Sequence, residues 1–114
     1  TGDLDTIMAG LACGEPSTLA WDLLSRHAEM FVACPDRVAV RGMRVLGNPM
    51  GRDIRMVSGE SGAVTLGLVY EIMTSPECAP LKKALGLNRE SDILLFSTEG
   101  DTDPSMYRKI VWGE

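Results

Sequence analysis

The chain has 114 residues, of which 45% are hydrophobic, 24% charged and 5% aromatic, enough for one modest core built from Leu, Val, Met, Ala and Ile. Its net charge of −5 argues against nucleic acid or an anionic membrane as a partner. With three cysteines, no CxxC pair and His27 as its one histidine, it lacks the ligand spacing of a zinc site, and free thiols fit a reducing cytoplasm.

Residues 6–12 form an apolar stretch broken by Gly10 and closed by Cys13, Gly14, Glu15 and Pro16. Ser17 or Thr18 then caps a helix whose apolar positions are Ala20, Leu23, Leu24, Ala28 and Phe31. A short β-like segment over 31–33 reaches Pro35 and Asp36, and Asp36 is predicted as a second N-cap. The helix that follows is expected to bury Val38, Gly42, Val45 and Leu46 and to stop at Gly47, Asn48 and Pro49. Arg37, Arg41 and Arg44 recur at i, i+4, i+7 and so line one helix face, read as solvated because no base-stacking aromatics are interleaved with them.

Met56 and Val57 lead into a Gly-rich turn over 58–62, followed by an almost uniformly apolar run to Met73, before Pro76. A run of that length without alternation predicts a buried helix, and Gly62, Ala63 and Gly67 let it approach its neighbours closely. Leu81, Ala84 and Leu85 mark a short helix ended by Gly86, and residues 92–97 (DILLFS) read as a buried strand of a parallel sheet. A polar loop over 97–103 follows, and Pro104 opens a last helix to Val111. Strands alternating with buried helices predict a three-layer α/β/α class, helix-rich with few parallel strands, in one segment without an internal boundary over 1–114. Two strands cannot close such a sheet and the chain starts at Thr1 rather than Met, so a piece of a larger domain is expected.

Three stretches carry chemically suggestive residues. Gly59, Glu60, Ser61 and Gly62 imitate the nucleophile elbow G-x-S-x-G, but Ala63 replaces its last glycine and His27 precedes the serine instead of following it. The same turn opens a helix whose N–H groups can hold an anion, although it matches neither the P-loop nor G-x-G-x-x-G. The loop over 97–103 (STEGDTD) has the oxygen density of a calcium site without the EF-hand spacing, so no metal site is expected. Its position is the better feature: hydroxyls at the carboxyl end of a buried strand are where open α/β sheets bind ligands.

Taken together, three segments resemble fold-type II pyridoxal-phosphate enzymes. Residues 6–11 (TIMAGL) resemble the T-I-A-D-G-L strand and loop of threonine and serine dehydratases, and 57–64 (VSGESGAV) resemble their E-P-S-G-A-V helix start. Residues 97–103 resemble the S-G-R-G-D-K-D loop of tryptophan synthase β chains. The longer strings over 6–16, 42–49 and 97–103 look specifically like the C-terminal part of the diaminopropionate ammonia-lyases, and the similarity runs from Thr6 to Trp112.

The resemblance implies pyridoxal 5'-phosphate as an electron sink in α,β-elimination of 2,3-diaminopropionate to pyruvate and ammonia, in a homodimer. It places Ser97 on the pyridine nitrogen with Thr98 as the neighbouring alternative, Glu60 near the ring hydroxyl, and the backbone around Gly10 along the same face. Read without it, Glu60 caps a helix and Ser97 ends a strand. The family's Schiff-base lysine, phosphate loop and substrate-carboxylate loop come earlier in the full-length enzyme, and Lys82, Lys83 and Lys109 lie in no such context. No catalytic residue is therefore assigned in this chain, and alone it is expected to be inactive. Two other readings stay open: a segment of another amino-acid dehydratase, and a non-catalytic oligomerisation module.

Overall fold

The computed structural model describes residue 7 and residues 17–113, and these contain five α-helices and no β-strand. They are α1 (Thr18–His27), α2 (Asp36–Gly47), α3 (Glu60–Thr74), α4 (Ala79–Leu85) and α5 (Pro104–Trp112), with a 3-10 turn at Pro76–Cys78 leading into α4. The apolar stretch over 6–12 lies outside the described residues except for Ile7, whose N–H donates to Asp36 Oδ2 at 3.0 Å. No described helix is long and apolar enough to cross a membrane.

The core is the crossing of α2 and α3, and it is made by absence of bulk. A Cβ built on Gly42 would fall on the carbonyl of Ala63, and one built on Gly67 would fall on the carbonyl of Val38. Each would also come within 3.0 Å of the other glycine's backbone nitrogen. The two backbones therefore touch, closer than helices separated by ordinary side chains. Around this contact Val38, Ala39 and Met43 of α2 and Ala63 and Ile72 of α3 are buried, Met43 completely. The expected helix over the apolar run is present, and its small residues make the close approach that the sequence predicts. The buried face of α2 is rotated from expectation, since Val45 and Leu46 are only half-buried while Ala39 and Met43 are enclosed.

The arginine row of α2 is exposed but not idle. Arg37 pairs with Glu71 of α3 at 3.3 Å, and the Arg41 guanidinium carbon sits 5.0 Å from the centroid of the Tyr70 ring. Arg44 Nε donates to Val111 O at 3.1 Å and its NH2 group donates to Ile110 O at 3.3 Å, placing a cation on the last carbonyls of α5. Helix α5 is capped at its other end by Asp103, whose Oδ1 accepts from Met106 N at 3.1 Å, with Pro104 in the first turn.

Two further expectations change, at Asp36 and over 92–97. Asp36 is the first residue of α2 and Pro35 occupies the N-cap, while the N-cap of α1 is Ser17, which accepts from Ala20 N at 3.3 Å. Helix α1 buries nothing: Leu23 and Leu24 are about half exposed, and Phe31 beyond it is 61% exposed, meeting Trp21 at 5.9 Å between ring centroids. The segment over 92–97 is neither buried nor paired, with Leu94 80% and Phe96 71% exposed. A strand needs a neighbour to receive its backbone N–H and C=O groups, and no described residue supplies one. The helix-rich character holds, whereas the β layer is not formed among these residues.

The crossing makes its own prediction. Gly42→Ala and Gly67→Ala are each expected to destabilise the chain by about 1–3 kcal/mol through overpacking. Helix propensity alone would favour alanine by roughly 1 kcal/mol, so the sign is diagnostic. Urea unfolding followed by circular dichroism reads it, and a raised midpoint would show that the backbones do not touch.

Candidate functional site

The loop over 97–103 docks onto the first turn of α3 through polar contacts. Gly59 N donates to Glu99 O at 3.0 Å, and Ser61 N donates to Glu99 Oε1 at 3.1 Å. One residue of the loop thus satisfies two backbone donors at the α3 N-terminus, with a carboxylate where the helix dipole favours negative charge. The predicted cap, Glu60, is instead the half-buried first residue of α3, set between the two positions that Glu99 ties down.

Ser58 lies at the centre of this junction. It is completely buried, and its Oγ is 2.7 Å from Ser97 Oγ. Weaker acceptors for the Ser58 hydroxyl are Glu99 O at 3.4 Å and Gly59 O at 3.5 Å. The packing leaves no space for a side chain at Gly62: a Cβ there would lie 2.6 Å from Ser58 Oγ, 3.0 Å from Thr98 N and 3.3 Å from Ser97 Oγ. Gly59 is constrained in the same way, since its Cβ would meet Gly100 O at 2.7 Å and the Glu99 side chain at 2.8 Å. The glycines of the 58–62 turn are therefore required by the loop that lands on it.

Ser97 is exposed and opens onto a mainly apolar hollow of about 210 Å³, walled by Leu46, Met56, Thr65, Leu66 and Leu95. Thr98 is exposed beside it. Of the four residues expected at a site, the structure brings Ser97 and Thr98 to the start of α3, where Glu60 stands, and Gly10 lies outside the described residues.

Chemically the junction is a pair of neutral hydroxyls backed by a carboxylate engaged with the helix end. Because Ser61 N and Gly59 N already have Glu99 as acceptor, this turn is poorly placed to cradle a phosphate. The elbow reading also fails in three dimensions. Ser61 Oγ is buried without a hydrogen-bond partner among the described residues, and exposed His27 closes α1. Cys34 and Cys78 are free thiols, and burial pushes the Cys34 thiol up, away from the nucleophilic thiolate. Among the described residues no group of three His, Cys, Asp or Glu comes together to hold a metal. Lys82 and Lys83 lie in the last turn of α4 and Lys109 in that of α5.

Sequence reasoning passed over Ser58 and Glu99 as builders of the site. Their partners are 39 and 38 residues away along the chain, so no local pattern announces them. The one signal in the sequence was a serine at the end of an apolar lead, directly before a glycine.

No protein-family model matches the chain. It is 53% identical over 111 residues to the diaminopropionate ammonia-lyase of Escherichia coli K12, which covers 97% of the chain and 28% of that enzyme. It is 45% identical over 113 residues to the diaminopropionate ammonia-lyase of Salmonella typhimurium LT2, again 28% of that enzyme. Its backbone matches the crystal structure of the E. coli enzyme in complex with an aminoacrylate–PLP azomethine reaction intermediate with a TM-score of 0.89, over 95% of the chain and 28% of the enzyme. The D-serine complex of the same enzyme gives a TM-score of 0.88 at 51% identity, over 98% of the chain and 29% of the enzyme. Over nearly its whole length the chain is thus a homologue of the diaminopropionate ammonia-lyases, of whose length it spans about 28%.

Proposed function

We propose that these residues form the C-terminal, cofactor-ring side of a pyridoxal 5'-phosphate-dependent 2,3-diaminopropionate ammonia-lyase. The observation that carries the reading is the match, at 53% identity and a TM-score of 0.89, to the E. coli enzyme crystallised with its aminoacrylate–PLP intermediate. Bound pyridoxal phosphate would supply an electron sink for α,β-elimination, releasing pyruvate and ammonia. Ser97 would hold the pyridine nitrogen, Thr98 would border the ring, Glu60 would face its hydroxyl side and Gly10 would edge the same face.

The residues fit such a group. A ring nitrogen needs one small hydrogen-bonding partner on a rigid base, and Ser97 is anchored to a fully buried serine at 2.7 Å. The apolar hollow beside it suits a flat aromatic ring better than it suits a charged ligand. A neutral hydroxyl leaves that nitrogen less protonated than a carboxylate would, and so moderates carbanion stabilisation in a way that suits elimination.

In this reading residues 1–114 are one segment of the large cofactor-binding domain of a homodimeric enzyme in a reducing cytoplasm. The segment over 92–97 would join a sheet in an α/β/α arrangement, which its exposed Leu94 and Phe96 support. Those same side chains favour a second reading, a non-catalytic module that assembles through its apolar edge.

Replacing the matching segment of the E. coli enzyme with these 114 residues tests the proposal directly. The hybrid is expected to release pyruvate from 2,3-diaminopropionate within about tenfold of the parent rate, and Ser97→Ala in it to lower kcat by about tenfold or more. A folded hybrid that acts on serine but not on 2,3-diaminopropionate would point to another dehydratase instead. Mixed with pyridoxal phosphate and borohydride, the isolated chain is expected to gain no stoichiometric lysine adduct by mass spectrometry. Such an adduct on Lys82, Lys83 or Lys109 would refute the assignment of the covalent chemistry elsewhere. Light scattering that shows a clean monomer would count against the assembly module.

A further inference from the structure

We propose that Ser58 is a positioning residue whose buried hydroxyl donates to Ser97 Oγ and so turns the Ser97 hydroxyl proton outward, toward the group that Ser97 faces. The inference rests on the reading of Ser97 as partner of the pyridine nitrogen.

It follows from counting protons at the junction. Each serine hydroxyl has one proton to give, and the two oxygens lie 2.7 Å apart, so one of them donates to the other. If Ser97 donated inward, Ser58 would have to direct its own proton to Glu99 O at 3.4 Å or Gly59 O at 3.5 Å. Both are long for an O–H···O bond, far beyond the 2.7 Å between the two hydroxyls. If Ser58 donates outward, its proton enters the short bond and the Ser97 proton is released for a second one. The outward order makes two good hydrogen bonds once Ser97 has an acceptor, whereas the inward order makes one good bond and one poor one. A fully buried hydroxyl left with a poor acceptor carries a desolvation cost that an exposed one does not.

The surroundings hold that order in place. Gly62 packs against Ser58 Oγ so closely that a Cβ there would lie 2.6 Å away, so the Ser58 oxygen is held close to the loop. Glu99 fixes the loop through two backbone donors of the α3 turn, and thereby fixes Ser97 relative to Ser58. An outward Ser97 proton requires an acceptor, so a ring nitrogen held there would be unprotonated, and Ser58 would set that preference from behind.

The test uses the hybrid holoenzyme loaded with cofactor labelled with 15N at the pyridine nitrogen. Ser58→Ala is expected to move the ring-nitrogen resonance and to lower kcat by about threefold to tenfold, with KM changed by no more than about twofold. Ser58→Thr, which keeps the hydroxyl, is expected to restore both readings. Ser58→Cys nearly keeps the volume but donates weakly, so it should behave like alanine, and it serves if the alanine variant unfolds. An unmoved resonance in Ser58→Ala, or in Ser58→Cys where that stands in for it, overturns the proposal if Ser97→Ala still moves it. So does wild-type behaviour of Ser58→Cys, which would make the role one of packing. A resonance that Ser97→Ala leaves in place overturns instead the reading of Ser97 on which the proposal stands.

Discussion

The contact between Gly42 and Gly67 is the constraint on which the rest of the described structure depends. Two helices can bring backbone against backbone only where both lack a side chain at the crossing, and here the missing Cβ atoms face the carbonyls of Ala63 and Val38. At that range backbone Cα–H groups and carbonyls interact directly, and few side-chain rotamers must be ordered to form the interface. The crossing fixes the axis of α3, and the axis fixes where the first turn, with Ser58, Gly59 and Gly62, is presented. The arginines of α2 complete the frame from outside it: Arg37 and Arg41 reach Glu71 and Tyr70 on α3, and Arg44 reaches across to the end of α5. As exposed groups they add little stability singly, but they restrict sliding of one helix along the other.

Close packing recurs at the junction with the loop, with a different purpose. At the α2–α3 crossing the small residues admit a backbone, whereas at Gly59 and Gly62 they admit a polar loop carrying its own hydrogen-bond partners. Glu99 supplies a carbonyl to Gly59 N and a carboxylate to Ser61 N, so the start of α3 already has a negative charge beside it. The negative charge stays at the helix terminus, and the group presented beside the hollow is the neutral hydroxyl of Ser97. Separation of the charged cap from the neutral contact is therefore a product of loop geometry, and residue composition over 97–103 does not show it.

The sequence disclosed what local chemistry governs and misjudged what distant partners govern. The helix over 60–74 was legible because fifteen residues without a proline, mostly apolar and small, have few alternatives, and α4 and α5 were legible from Gly86 and Pro104. Ser17 was legible as a cap because its partner is three residues away. The burial expected of the segment over 92–97 is not seen because an apolar run reports that a surface is suited to cover, not that cover is present among the described residues. At the junction, motif strings pointed to Ser97, Thr98 and Glu60, which the fold brings to one place, but no periodicity could reveal Ser58 behind Ser97 or Glu99 over Ser61. Those pairings are made by tertiary contact across 39 and 38 residues.

The same distance ties the geometry of the junction to the rest of the fold. A hydroxyl pair formed within one turn can adjust by local backbone movement, but Ser58 and Ser97 sit on separate segments whose relation is set by Glu99 on one side and by the α2–α3 crossing on the other. A shift of a few tenths of an ångström in either would lengthen the 2.7 Å contact toward the 3.4 Å alternative at Glu99 O, and the order of donation would no longer be decided. On the proposed reading of Ser97, the close contact at Gly42 and Gly67 would in that sense be the precondition for its role. A partner that must meet a ring nitrogen with its proton already pointing outward has to be oriented before the ring arrives, because reorientation afterwards would consume part of the binding energy that orients the ring.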